Sequence, residues 1–311
     1  MAVNTAQFIK EKTEELKQAI KDGRALCAVS GGVDSMVAAC LAQRAVGENA
    51  IVLFLDNGLM RANEASEVAE SLKKQKIDLQ VWDVQKNFFE ALKGIVDPED
   101  KRKAFRDIFY KTLGQAVRSY SADFLIQGTI AADIVETQKG IKTQHNVLAQ
   151  IGVNPALFGL SILEPLKTLF KDDVRKLAKA LGLPQKVYNR KPFPGPGLAT
   201  RIIGEVTPER VEKIRLATSI VEETITGESI FQVFPVLLND RATGIVSEKR
   251  VLGEIIALRA VESKDAMKAS PCKIPWPKLE KVRDRLLKSI PGLVKVVYDI
   301  TPKPPSTIEY I

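Results

Sequence analysis

Five residues in the stretch AVSGGVDS, positions 28 to 35, are of the types that handle phosphate: Ser30, Gly31, Gly32, Asp34 and Ser35. They follow directly on the apolar run Leu26-Cys27-Ala28-Val29 and lead into an apolar helical pattern that starts at Val33. A glycine-rich turn from strand into helix presents several backbone N–H groups in a concavity, with the positive end of the helix dipole behind them. Glycines at 31 and 32 let the backbone approach an anion closely and take positive φ where the turn requires it. Ser30 and Ser35 add hydroxyl donors. Asp34 would repel a phosphate unless a cation bridged the two, so it predicts Mg²⁺, which prefers one or two carboxylates together with phosphate oxygens. The loop has no lysine and no G-K-[ST] ending, and it does not read G-x-G-x-x-G, so neither a Walker A loop nor a dinucleotide fingerprint accounts for it. A serine-capped helix start would explain one serine and one glycine. Five specified positions coincide by chance at roughly 10⁻⁶ per start site.

The composition excludes several other chemistries. The single histidine, His145, rules out any mechanism that needs several imidazoles. Cys27, Cys40 and Cys272 are an odd set without C-x-x-C spacing, which speaks against a disulfide frame or a zinc site. The first twenty residues are amphipathic and charged throughout, with neither the apolar core of a signal peptide nor the length of a membrane span, so a cytoplasmic protein without membrane contact is expected. The net charge of +8 is spread over both halves of the chain. That distribution fits small anionic substrates or an acidic protein partner, and no nucleic-acid partner is expected.

A chain of 311 residues predicts two domains. Apolar runs of strand length at Leu26–Val29, Ile51–Leu55, Leu79–Val84 and Phe124–Gln127 alternate with helical patterns near Val33–Ala45, Glu64–Lys74, Phe88–Leu92 and Glu99–Ser119. This is the pattern of an α/β parallel sheet covered on both faces, with ligands at the carboxyl ends of the strands. Residues 131–160 are too long for an ordinary connection and read as a functional lid. The stretch ILEPLKTLFKDDVRKLAKALGLP adds one more strand and helix. Three prolines and two glycines in RKPFPGPGLATR, 190–201, mark the boundary between a first domain over 1–200 and a second over 201–311. In the second, helices over Pro208–Glu223 and Pro277–Ser289 and strands at Ile230–Leu238, Glu254–Glu262, Leu293–Ile300 and Ser306–Ile311 predict a smaller, mostly antiparallel α+β unit.

S-G-G-x-D-S is the signature of the N-type, or PP-loop, ATP pyrophosphatases, and further segments resemble the ATP-pyrophosphatase part of the GMP synthetase family over nearly the whole chain. FLDNGLMRANEA (54–65), GTIAADIVE (128–136), EPLKTLFKDDVRKLAKALGLP, RKPFPGPGLATR, LRAVESKDAM (258–267) and VVYDITPKPPSTIEYI (296–311) follow in the family's order. The resemblance implies an adenine nucleotide α-hydrolase-like domain followed by a dimerisation domain. ATP would be held by Ser30, Gly31, Gly32, Val33, Asp34, Ser35, Asp56, Asn57, Gly58 and Gly128, with Mg²⁺ on Asp34 and Asp133. Asp34, Asp133, Glu136 and Lys142 would serve catalysis. Lys295, Lys303, Ile308 and Glu309 would contact XMP, which is adenylated by ATP with release of pyrophosphate and then aminated to GMP with release of AMP.

The chain departs from the family at Gln144, where a histidine is usual, at Lys295, where an arginine is usual, and at Val246, where a glutamine is usual. Two readings therefore stand beside the first: the same adenylation on another acceptor, such as a tRNA base or a different nucleotide, and a nucleotide sensor without turnover. A homodimer is expected. So is ammonia supplied by a separate glutamine amidotransferase subunit or taken as free ammonium, because the glutaminase domain that usually precedes this module is absent from the sequence.

Overall fold

The apolar run that ends in the glycine corner lies in the middle of a five-stranded parallel sheet. The computed structural model describes residues 3–138, 160–227, 229–263 and 266–311, with backbone alone over 135–138. They divide into two compact units, Met1–Asp56 with Asn63–Val84 and Asp107–Arg190, and Asn57–Ala62 with Gln85–Arg106 and Lys191–Ile311.

In the first unit, β1 (Ala25–Ala28), β2 (Ala50–Asp56), β3 (Leu79–Asp83), β4 (Phe124–Ile126) and β5 (Ser161–Leu163) stand in the order β3-β2-β1-β4-β5. All pairings are parallel, with Cys27 opposite both Val52 and Ile126. Residues 25–27 of β1 and 50–55 of β2 are buried without alternation, as strands covered on both faces require. The order reverses at β1, so the loops after β1 and β4 flank the topological switch point, where such sheets bind ligands.

Helix α1 (Thr5–Ile20) starts at Asn4, whose side chain accepts from Gln7 N at 3.2 Å. Helix α2 (Val33–Val46) buries Val33, Met36 to Ala42 and Ala45, and its small residues let it lie close to the sheet and to α1. Helices α3 (Glu64–Lys73), α4 (Gln85–Leu92), α5 (Pro98–Ser119), α6 (Ala131–Gln138) and α7 (Lys171–Ala180) follow. The expected lid thus opens with a helix, α6; its remainder, 139–159, lies outside the described residues. Among the described residues no helix is long and apolar enough to cross a membrane.

The second unit is built on β7 (Lys249–Glu262), with β6 (Gln232–Val246) antiparallel on one edge and β8 (Ser270–Pro271) and the parallel β9 (Leu293–Asp299) on the other. Helices α8 (Pro208–Thr224) and α9 (Trp276–Ser289) pack on it. Two sequence expectations change here. The strands read at 230–238 and 254–262 are the buried halves of one long hairpin, which continues through 239–253 and turns at Ser247–Glu248. Both turn residues have positive φ, 48° and 63°, the geometry of a tight hairpin turn, yet neither is Gly or Asn, so the usual turn signal is missing. Gly253 takes its place because a Cβ there would strike Val294 and lie 2.6 Å from Gly292 O. The strand expected at Ser306–Ile311 does not form; the tail is irregular, with an isolated backbone bridge between Ala269 and Lys303.

The three cysteines are buried. Burial pushes the Cys27 and Cys40 thiols up to about 12 and the Cys272 thiol up to about 11. Because the thiolate is the reactive form, iodoacetamide at pH 8 is expected to leave the native protein unlabelled and to modify all three after urea unfolding, read by intact mass.

Candidate active site

Val29 N donates to Leu53 O at 2.8 Å, the last ladder bond before the chain turns away from β1. Gly31 then adopts φ +76°, and Gly32 caps α2 with extended backbone and no side-chain cap. The first intrahelical bond runs from Met36 N to Gly32 O at 3.1 Å, so the N–H groups of 33 to 35 have no intrahelical acceptor. Ser35 Oγ braces the loop from within, accepting from Ser30 N at 3.3 Å and donating to Gly32 O at 3.0 Å. The Val33 side chain is buried, so its share in binding an anion is its backbone. The result is a helix N-terminus with open donors at the switch point of a parallel sheet, an anion site by construction.

The loop after β4 closes on it. A Cβ at Gly128 would sit 2.8 Å from Asp34 C and from Ser35 N, so only glycine lets this loop pass the first turn of α2. Beyond it, Thr129 Oγ1 donates to Glu164 Oε1 at 2.7 Å, and Ile130 N donates to Asp133 Oδ2 at 3.1 Å at the start of α6. Glu136 stands in the same helix, but its side chain and all of Lys142 and Gln144 lie outside the described residues.

Asp34 is half-buried. Its Oδ2 accepts from Lys171 Nζ at 2.6 Å, while its buried Oδ1 has no hydrogen-bond partner. A buried carboxylate oxygen left unmatched beside open N–H donors fits a divalent cation whose other ligands are phosphate and water oxygens. Among the described residues no group of three or more His, Cys, Asp or Glu gathers to hold a metal without a substrate. Lys171 was not singled out by sequence reasoning. Its signal was a cation in the first turn of α7, where the helix dipole disfavours one unless an anion faces it.

The segment after β2 behaves differently. Asp56 ends the strand, and its carbonyl accepts from Val84 N at 2.9 Å. Asn57 is buried and spends its carbonyl oxygen on Leu59 N at 2.9 Å, closing a local turn. Gly58, at φ +72°, leaves no room for a Cβ beside Phe89 and Gln85. Both residues therefore shape the backbone of this segment.

In the second unit, the C-terminal tail is organised by Arg259, a fully buried side chain of β7. Its Nε donates to Ile308 O at 2.8 Å, Nη1 to Thr301 O at 3.1 Å and Nη2 to Thr307 O at 2.6 Å, and Nη1 also pairs with Asp299 Oδ2 at 2.5 Å. Ile308 seats in an apolar cluster with Val261 and Ala269. Lys303 Nζ donates to Ala266 O at 2.9 Å. Lys295 is exposed on β9, two and four residues before Val297 and Asp299 on the same strand face. Glu309 faces Arg201, whose guanidinium lies between the rings of Phe193 (4.8 Å) and Phe234 (4.4 Å). Arg61 covers the same Phe193 ring at 4.1 Å and forks onto Glu222. Burial pushes the Arg201 guanidinium down from its ordinary value, and the Glu309 carboxylate opposes that. Arg201 Nε and Nη1, Arg61 Nη1, Gln232 Oε1 and Glu309 Oε2 are buried without hydrogen-bond partners, a set of donors and acceptors suited to a polar, anionic ligand.

Burial works to raise the Asp299 pKa, but the Thr301 N–H and hydroxyl and the Arg259 guanidinium outweigh it and hold the carboxyl below its ordinary range. A lowered folded pKa contributes stability that is present above the unfolded value and lost as pH falls through the folded one. Urea midpoints of the wild type are expected to fall more steeply than those of Asp299→Asn as pH drops below about 4.

Comparison with known proteins agrees with both units. Residues 20–189 match the family described as Thiamine biosynthesis protein (ThiI), and residues 219–310 match GMP synthase C terminal domain. A PP-loop ATP-pyrophosphatase fold is thus followed by a GMP synthase C-terminal domain. The chain is 45% identical over 306 residues to a Thermococcus kodakarensis protein named as a subunit of GMP synthase [glutamine-hydrolyzing], covering 97% of this chain and 98% of the relative. It is 45% identical over 309 residues to the protein of the same name from Archaeoglobus fulgidus (99% and 100%), and 44% over 309 residues to that from Methanocaldococcus jannaschii (98% of each). The chain belongs to this family of glutamine-hydrolysing GMP synthase subunits.

Proposed function

We propose that this protein is the ATP-pyrophosphatase subunit of a GMP synthase, a carbon–nitrogen ligase that converts XMP to GMP with release of AMP and pyrophosphate. One observation carries the chemistry: the open helix N-terminus at the switch point, with the unmatched oxygen of Asp34 beside it. The relatives' name supports the acceptor, and the match over 219–310 favours it over a tRNA base or a sensor role.

ATP's outer two phosphates occupy the loop, where backbone N–H groups of residues 31–35 and the hydroxyl of Ser30 bind the departing pyrophosphate, while the Ser35 hydroxyl holds the loop in shape from within. Mg²⁺, held by Asp34 and in this reading also by Asp133, would neutralise charge as the bond between the α- and β-phosphates breaks. Lys171 orients Asp34 and balances its charge. The xanthine C2 oxygen attacks the α-phosphorus to give adenylyl-XMP, and ammonia displaces AMP. Asp133, Glu136 and Lys142 act around the reacting phosphate, and their segment excludes water from the adenylate. Asp56, Asn57, Gly58 and Gly128 shape the ATP site, while Lys295, Lys303, Ile308 and Glu309 line the acceptor site together with Arg61 and Arg201.

The assembly is a homodimer in the cytoplasm that receives ammonia from a separate glutaminase subunit, in keeping with relatives named as one subunit of a glutamine-hydrolysing enzyme. Its working division is a nucleotide domain over 1–200 and a dimerisation and substrate domain over 201–311. Incubation with ATP, Mg²⁺, XMP and ammonium is expected to yield AMP, pyrophosphate and GMP in equal amounts. ADP with orthophosphate would overturn the reading, and AMP formed only with another acceptor would replace XMP.

A further inference from the structure

We propose that Arg190 is a positioning residue for the pyrophosphate cradle, acting through the carbonyl of Gly31, with Glu64 as its buried counter-charge; this rests on the reading of the loop given above. Glu64 opens α3 and lies on that helix's buried face, with Val68, Ser71 and Leu72. It is 3% exposed and ion-paired with the Arg190 guanidinium, whose Nη2 donates to Glu64 Oε2, while Oε1 lies beside Nη1 without a hydrogen bond. Arg190 Nη1 also donates to Gly31 O at 3.1 Å. Three segments far apart in sequence, the loop after β1, the start of α3 and the end of the first unit at residue 190, therefore meet on one guanidinium.

The consequence for the cradle follows from peptide geometry. The 31–32 bond is trans, so the Gly31 C=O and the Gly32 N–H point in opposite directions. By holding the carbonyl, Arg190 fixes the N–H of the same peptide facing away from itself. Glycine flanks the peptide on both sides and offers little resistance to its rotation, so an outside hold is needed where the side chains supply none. Residue 31 is glycine independently of any phosphate because its φ is +76°, and a Cβ there would also push against Glu64 Oε1 and Arg190 Nη1. Ser35 braces the next carbonyl, Gly32 O, from inside the loop. The two carbonyls of the double glycine are thus each held, leaving the N–H groups aimed before ATP arrives, which is the preorganisation that electrostatic stabilisation of a leaving group requires.

Removing Arg190 alone would strand a buried carboxylate and risk the fold. The test therefore uses the neutral pair Glu64→Gln with Arg190→Gln, and separately Arg190→Lys, which keeps the charge without the fork. Dissociation constants for ATP, pyrophosphate and AMP are measured by calorimetry with Mg²⁺. The double variant is expected to lose about tenfold or more in affinity for ATP and pyrophosphate while AMP affinity is unchanged, because one charged-acceptor hydrogen bond in the cradle is misdirected. Arg190→Lys is expected to fall between. Equal weakening of ATP and AMP, or a double variant that keeps the wild-type preference for ATP over AMP, would overturn the proposal. A wild-type protein that binds no pyrophosphate would overturn the reading of the loop and this proposal with it.

Discussion

Asp34→Asn is expected to lower the rate of AMP formation by about 10²–10³-fold at saturating ATP, the loss seen when one preorganised charge-stabilising group is removed. The substitution is nearly isosteric, and an amide oxygen can still accept from Lys171, so the half-buried site keeps its shape. What disappears is the negative charge at Oδ1, the buried oxygen that no protein group satisfies. The loss should therefore fall on turnover and on the Mg²⁺ concentration needed for half-maximal rate, with little change in the unfolding midpoint. Asp133→Asn is the comparison. Its side-chain oxygen accepts from Ile130 N at the start of α6, a bond an asparagine also makes, so its rate loss isolates the charge from the helix start. An Asp34→Asn protein with wild-type turnover and Mg²⁺ dependence would remove the cation from this position.

The sheet and its loop were legible because each rests on local pattern. Continuous apolar runs at 26–29 and 51–55 read as strands covered on both faces, and a double glycine between strand and helix has few other uses. Long-range partners were not legible. Nothing near Lys171 announces that it meets Asp34 across 137 residues, or near Arg190 that it meets Gly31 across 159. The indirect signs were a cation in the first turn of a helix and, at Glu64, a carboxylate among the apolar positions of α3; both are unfavourable unless paired. The hairpin over 239–253 was missed because its turn is Ser-Glu and its outer half mixes charged residues with exposed Ile245, Val246 and Leu252, so neither turn chemistry nor a regular apolar alternation marks it. Gly58 and Gly128 read as ATP-binding in the sequence, and the structure shows each making room for neighbouring protein atoms; a sequence does not reveal whether a glycine admits a phosphate or a neighbouring chain segment.

The tail expectation failed for a reason that yields the second large effect. Residues 306–311 alternate like an edge strand, yet the acceptors that a strand would use on the sheet, the carbonyls of Thr307 and Ile308, are taken by Arg259. Arg259→Met should cost about 3–5 kcal/mol, because it leaves the partly buried Asp299 carboxylate and three carbonyls without the fully buried donor that joins them. Set against a typical total of about 5–15 kcal/mol, that is a large lowering of the urea midpoint. Ile308→Ala removes the apolar anchor instead and should cost about 2–5 kcal/mol. Both act by freeing the same segment, so the double variant should fall short of the sum by an amount a mutant cycle can read. Carboxypeptidase should trim the freed tail, and the KM for the acceptor should rise as Glu309 leaves Arg201. ATP affinity measured alone should not change, since the loop after β1 belongs to the other unit. A variant with an unshifted midpoint and a protected terminus would show that the tail is held by its own packing and that Arg259 is incidental to it.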